Sequence, residues 1–151
     1  MENRKKHRDV LLALFILYIL AALALLFLRT PQGGGGWNLT PFETIRGYFR
    51  ILSDRNPWAD ALRRYAWMNF VGNIVLFVPL GLFLPLLWGR QRRFPLFLLT
   101  VTASSIIVET EQHLTALGSL DVDDLILNLL GAAVGFLLWR LGAAFCAKKI
   151  H

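Results

Sequence analysis

The sequence predicts an all-α fold: a polytopic integral membrane helix bundle of about four transmembrane helices with a short interfacial amphipathic helix. Three observations predict it. Of the 151 residues, 56% are hydrophobic, more than a soluble domain of this length usually carries. The excess is segregated into four blocks near the length that crosses a bilayer. Trp37, Trp67, Trp88 and Trp139 fall at the ends of blocks, where an interfacial aromatic belt would place them.

The first block, Val10 to Leu28, contains no charge and would make a helix about 28 Å long. Arg4, Lys5, Lys6 and Arg8 precede it and Arg29 follows. A cleaved signal peptide would need a shorter core and a small-x-small site after it, so the block is read as an uncleaved anchor. Gln32 to Trp37 is a glycine-rich, flexible link. Thr40-Pro41-Phe42-Glu43 then reads as a helix start, with Thr40 as cap, Pro41 at the first helical position and Glu43 three residues after the cap. Phe42, Ile45, Phe49 and Leu52 recur at helical spacing among Glu43, Arg46 and Arg50. That pattern predicts an amphipathic helix, either lying on the membrane face or packed on the spans as a lid. Asn56-Pro57 marks a turn.

The second span covers Met68 to Trp88, and Pro79 and Pro85 within it predict a kink. The third starts at Phe94, is uncharged to Val108, and extends to Gln112 through Glu109-Thr-Glu-Gln. The fourth runs from Leu125 to Trp139 and beyond, because Arg140 can snorkel to the head groups. Within it, Gly131 and Gly135 form a small-xxx-small step suited to close helix packing. The chain thus divides into a cytoplasmic tail, first span and linker (1–36), a membrane domain (37–141) and a cytoplasmic C-terminal tail (142–151).

Charge sets the expected orientation. The side holding both termini carries Arg90, Arg92, Arg93, Arg140, Lys148 and Lys149 besides the N-terminal cluster. The opposite loops carry fewer basic residues, and the last of them only acids. Both termini are therefore expected in the cytoplasm of a cell-membrane protein. The net charge of +6 is read as topology-setting loops against anionic lipid, not as a nucleic-acid surface. Cys146 is the single cysteine, so an internal disulfide is excluded. No Cys/His set has zinc spacing. The glycine run at 33–36 lacks the Lys and Ser/Thr of a phosphate-binding loop.

The chemistry concentrates on three polar groupings at the expected outer ends of the spans: Asn69 with Asn73, Glu109 with Gln112 and His113, and Asp121, Asp124 and Asn128. The last three share one helix face, at offsets of three and seven. Polar groups inside an apolar bundle are costly unless paired. Asp121 also suits a helix cap and Asp124 a first-turn charge, but Asn128 lies too deep for capping. Glu109 ends an uncharged run and is expected either to stay protonated or to meet a partner. Glu109 and Asp124 are the candidate catalytic residues, and Asn73, Gln112, Asp121 and Asn128 the candidate binding residues. The pattern names no cofactor; carboxylates with amides would suit a divalent cation, a cationic group or a sugar alike.

The same residues carry a family resemblance. Trp37-Asn-Leu-Thr-Pro-Phe-Glu-Thr-Ile45, Asn73-Ile-Val-Leu-Phe-Val-Pro-Leu-Gly81, and Glu109-x-x-Gln112 followed by Asp121-x-x-Asp124-x3-Asn128-x-x-Gly131 resemble the VanZ-like family. In order and spacing they cover roughly residues 37–136. One departure is Ser119 after Gly118, where that family commonly has Arg. The resemblance implies a small bacterial integral membrane protein of the cell envelope, in a family whose namesake is associated with resistance to the glycopeptide teicoplanin.

Two functional readings follow. In one, the outward cluster binds an envelope lipid, a glycopeptide or a partner without catalysis. In the other, a membrane enzyme acts on a lipid-linked envelope precursor, with Glu109 as general acid or base and the acids orienting substrate or holding a metal ion. Membrane lipids are expected partners under both, a second copy of the chain is a further candidate, and nucleic acid is not expected.

Overall fold

A computed structural model describes residues 2–27, 36–115 and 119–148. The glycines at 33–35 and Gly118 lie outside the described residues. The elements in order are α1 (Glu2–Phe27), β1 (Trp37–Asn38), α2 (Glu43–Ser53), α3 (Asp60–Leu87), α4 (Phe94–Leu114), β2 (Leu120–Asp121) and α5 (Val122–Lys148). Four helices are long and apolar enough to cross a membrane, over Lys5–Leu26, Asp60–Leu87, Phe94–Leu114 and Val122–Ala147. They are the four blocks expected from the sequence.

α3 begins at Asp60 rather than Met68 and at 28 residues is about 42 Å long. Its first turns therefore reach past an apolar layer of about 30 Å. They form because the Asn56 side chain accepts the Trp58 N–H at 3.1 Å, capping a single 3-10 turn, and because Asp60 sits in the first helical turn paired with Arg63. The helix continues unbroken through Pro79 and Pro85. Pro79 has no N–H and leaves the Val75 carbonyl without its helical donor. One residue on, the Tyr18 hydroxyl of α1 donates to the Leu76 carbonyl at 2.8 Å.

The spans alternate in direction, so α3 and α5 run parallel, and their contact is the tightest in the bundle. A Cβ at Gly81 would fall on the Ala132 carbonyl, one at Gly131 on the Ile74 carbonyl, and one at Gly135 on the Val78 carbonyl. Only glycine admits backbone-to-backbone approach of this kind. Around the seam lie Phe77, Leu80, Leu84, Phe97, Val101, Ala132 and Phe136, which form the core. The Phe97 and Phe136 rings are 4.6 Å apart. α1 is peripheral: Ala22 and Leu26 are its buried hydrophobic residues among those described, and Phe15 packs on Phe83 and Trp88.

The two ends of the bundle differ. At the end carrying both termini, Arg92 donates to the Pro85 carbonyl at 3.2 Å and lies 5.9 Å from the Trp139 ring centroid. The opposite end is closed by α2 and by a two-residue parallel pairing of β1 with β2, Trp37 against Leu120 and Asn38 against Asp121. The sequence pattern did not contain this pairing.

α2 exists where the amphipathic pattern placed it, but its start differs. Thr40 does not cap it. The N-cap residue is Phe42, at a left-handed φ of 68°, with no side-chain cap of its own. α2 packs against α3 and α5 in the manner of a lid. Its buried residue is Tyr48, while Phe42 and Phe49 remain exposed, Phe49 resting on Phe70 with centroids 5.4 Å apart.

The glycine seam makes a clear prediction. Gly131→Ala and Gly135→Ala force the two backbones apart, and overpacking of this kind costs about 1–3 kcal/mol. Both variants should melt at lower temperature in detergent. Gly142→Ala, where no atom lies within 4 Å of the added carbon, should melt with wild type. Equal melting of all three would refute the seam.

Candidate functional site

The site grows from the start of α5. The Asp121 Oδ1 accepts the Asp123 N–H at 2.8 Å, so Asp121 caps the helix it precedes. The same carboxylate accepts Asn38 Nδ2 at 3.0 Å and the Thr44 hydroxyl at 2.6 Å. Asn38 also donates to Thr44 Oγ1 at 2.8 Å, which closes a small ring of hydrogen bonds. One buried acid thus ties α5 to β1 and to the first turn of α2.

Asp123 does the complementary work and is fully buried, at 0% exposure. Its Oδ1 accepts the Phe42 N–H at 2.5 Å and its Oδ2 the Ile45 N–H at 3.1 Å. These are donors at the start of α2 that no residue of α2 itself satisfies. A carboxylate there also meets the positive end of the helix dipole. The bond to the Phe42 N–H holds a bulky residue in a conformation it rarely adopts. The cap that the sequence pattern assigned to Thr40 is therefore supplied by another helix.

Below this clamp lies a second polar layer. Asn73 Nδ2 of α3 donates to Asp124 Oδ1 of α5 at 2.6 Å. Asn128 Nδ2, one turn deeper in α5, donates to Ser105 Oγ of α4 at 2.8 Å. Glu109 of α4 is 5% exposed and Asn128 2%. The Glu109 carboxyl faces the Asn128 side chain, the Asp121 main chain and the Asp124 carboxylate. Glu109 Oε2 and Asn128 Oδ1 are both buried and find no hydrogen-bond partner among the described residues.

The remaining candidates lie around this centre. Gln112 turns to α1, its Nε2 donating to the Leu26 carbonyl at 3.3 Å. His113 stands edge-on to Trp37 at 5.3 Å between centroids. Asn69 bonds back to the Tyr65 carbonyl at 2.8 Å, and Glu111 is exposed. The structure thus brings Asn73, Glu109, Asp121, Asp124 and Asn128 together from α3, α4 and α5, and adds Asn38, Thr44, Ser105 and Asp123, which spacing on one helix face did not select. Among the described residues, no group of three or more His, Cys, Asp or Glu side chains is arranged to hold a metal ion.

Helices that span a membrane, closed at one end over a hydrogen-bonded layer of carboxylates and amides, define a multi-pass membrane protein with a polar cluster built into its apolar interior. The VanZ/LLP1 family model matches residues 15–143, and the chain belongs to that family. The match begins inside α1 and ends inside α5, so it includes the second half of the first span as well as the three motif segments. No curated protein and no solved structure matches the chain. All three motif segments contribute to the cluster, Asn38 and Thr44 from the first, Asn73 from the second, and the acids and Asn128 from the third, while Gly81 and Gly131 of the second and third meet the facing backbone in the seam.

Removing the Asp123 carboxylate should release α2. Helix caps contribute about 0.5–2 kcal/mol and hydrogen bonds to a charged group about 1.5–3 kcal/mol. Asp123→Ala should therefore destabilise the protein by roughly 2–3 kcal/mol and expose residues 43–56 to limited proteolysis. Asp123→Asn should fall between it and wild type. Protection equal to wild type in Asp123→Ala would show that α2 is held by packing alone.

Proposed function

We propose that the protein is a non-enzymatic binding component of the bacterial cell envelope that alters susceptibility to glycopeptides such as teicoplanin. Its cluster of Glu109, Asp124, Asn73 and Asn128 receives an envelope lipid or other ligand. The observation that carries this reading is the pair of oxygens Glu109 Oε2 and Asn128 Oδ1, buried without a partner while Asn73 is engaged with Asp124 and Asn128 Nδ2 with Ser105. A buried acceptor without a donor costs about 1–3 kcal/mol, and a bound donor removes that cost. Asp121 and Asp123 serve as caps in this reading. Gln112 holds α1 beside the site.

The binding reading is tested by glycopeptide susceptibility in cells carrying wild type, Glu109→Gln or Asp124→Asn at matched membrane levels. Wild type should shift susceptibility and Glu109→Gln should not. Asp124→Asn should retain much of the effect, because an amide oxygen still accepts from Asn73. No shift with wild type would end this reading.

A second reading is favoured by the same unpartnered Glu109 Oε2: Glu109 acts as a general acid or base on a lipid-linked substrate, with Asp124 beside it. It requires Glu109→Gln to abolish turnover of an envelope lipid. An unchanged lipid profile on expression of wild type counts against it.

We also propose that the cluster faces outward from the plasma membrane, with both termini cytoplasmic, in line with the basic residues on the termini side. Cys146 is exposed and unpaired, so it reports the side directly. A membrane-impermeant maleimide should label it in inverted vesicles and not in intact cells; labelling of intact cells would reverse the assignment.

A further inference from the structure

We propose that the turn joining α3 to α4 binds the phosphate head group of an anionic phospholipid. The turn lies at the end of the bundle that carries both termini, opposite the polar cluster. The site depends neither on that cluster nor on which side of the membrane this end faces.

The sequence supplies positive charge without counter-charge. Gly89-Arg-Gln-Arg-Arg93 joins two spans, and no acid occurs between Asp60 and Glu109 or after Asp124. The fold then sorts the four polar side chains. Gly89–Arg92 is a single 3-10 turn, in which the Gln91 N–H donates to the Trp88 carbonyl at 3.0 Å and the Arg93 N–H to the Arg90 carbonyl at 3.2 Å. Side chains three apart in such a turn stand on one side, which pairs Arg90 with Arg93. Gln91 turns to α4, its Nε2 donating to Thr100 Oγ1 at 2.9 Å. Arg92 is engaged with the Pro85 carbonyl and the Trp139 ring. Arg90 and Arg93 are left lining one open cavity of about 640 Å³, together with Gly89 and Leu96. Among the described residues, neither of these two arginines forms an ion pair.

Two cations brought to one cavity repel each other until an anion joins them. A guanidinium presents its N–H groups as a fork that fits the oxygens of a phosphate. α4 starts at the same place without a side-chain cap, and the positive end of its dipole adds to the potential there.

Position makes that phosphate part of a lipid. The turn follows Leu87, the last residue of one span, and precedes Phe94, the first of the next. Trp88 stands exposed beside it, as interfacial tryptophans do at head-group depth. Leu96 is a wall of the cavity and also the first of a row on α4. Leu96, Leu99, Ala103 and Ile106 share one helix face, and all four are exposed. The row runs for about 15 Å, roughly the hydrocarbon depth of one leaflet. A phosphate in the cavity and a chain along the row belong to one amphiphile.

The test uses purified full-length protein in an uncharged detergent, with binding of short-chain phosphatidylglycerol, phosphatidylcholine and inorganic phosphate read by native mass spectrometry. A basic residue beside an anionic lipid surface contributes about fivefold in affinity. Phosphatidylglycerol should therefore bind roughly twentyfold more tightly than phosphatidylcholine, whose head group has no net charge. Arg90→Gln and Arg93→Gln should each lower phosphatidylglycerol affinity about fivefold. Both side chains are exposed, so both variants should melt with wild type when no lipid is added. Arg140→Gln, at the same end but outside the cavity, should leave the affinity unchanged. Equal binding of the two lipids overturns the site. An equal loss in Arg140→Gln shows diffuse attraction and overturns the assignment to this cavity. Inorganic phosphate binding as tightly as phosphatidylglycerol overturns the lipid source.

Discussion

The contact of α3 with α5 through bare backbone is the constraint on which the rest depends. Between membrane helices lipid is as apolar as leucine, so burial of apolar side chains supplies little drive to associate; close packing and polar contacts must do it. Gly81, Gly131 and Gly135 let the two main chains touch over several turns. Because the helices run parallel, this contact also sets their register. Toward the closed end of the same pair, it puts Asn73 opposite Asp124. α4 then docks with Phe97 and Val101 in the apolar layer and Ser105 and Glu109 in the polar one. α1 lies at the edge of this assembly, held by Tyr18 and by the bond from Gln112. A side chain anywhere along the seam would disturb the polar layer as surely as a mutation within it.

The acidic run at the start of α5 divides its labour by direction. Asp121 and Asp123 turn toward the lid and satisfy main-chain and side-chain donors from β1 and α2. Asp124 and Asn128 turn into the bundle and meet α3 and α4. One short segment therefore closes the end of the protein and furnishes its interior. Closure matters because a buried polar layer gains strength when water is kept out, and α2 with the β1–β2 pairing provides that cover.

Much of this was legible in the sequence, and the reasons for the rest are physical. The spans could be read because each is a local property of one segment: length, lack of charge and tryptophans at the ends. Glu109 and Asn128 could be singled out because they interrupt apolar runs. Asp123 could not, since its partners are backbone N–H groups of Phe42 and Ile45, 81 and 78 residues away in the chain, and any residue type supplies a backbone N–H. The start of α2 was misread for the same reason: Thr40 has the right chemistry for a local cap, but a distant carboxylate reached the site first. The amphipathic pattern found α2 yet favoured Phe49 over Tyr48, because spacing gives a face and not the direction of the neighbour. The two-residue pairing of Trp37–Asn38 with Leu120–Asp121 is too short for any periodic signal, although Asn38 and Thr44 lay within a motif segment.

The carboxylates at this end now fall into two kinds, and the difference bears on function. Asp121 and Asp123 are surrounded by donors that fit them, so their removal is felt as lost stability. Glu109 retains an oxygen without a donor, next to an amide oxygen in the same condition. In a bundle that reaches 81 and 78 residues along its chain to satisfy the amides of one lid helix, two buried oxygens without a partner on facing side chains are a retained cost. Sites that trade stability for activity have this signature. Among the described residues Gln91 Oε1 and His113 Nδ1 are also buried without a partner, but only at Glu109 and Asn128 do two such atoms lie on facing side chains within the acidic cluster.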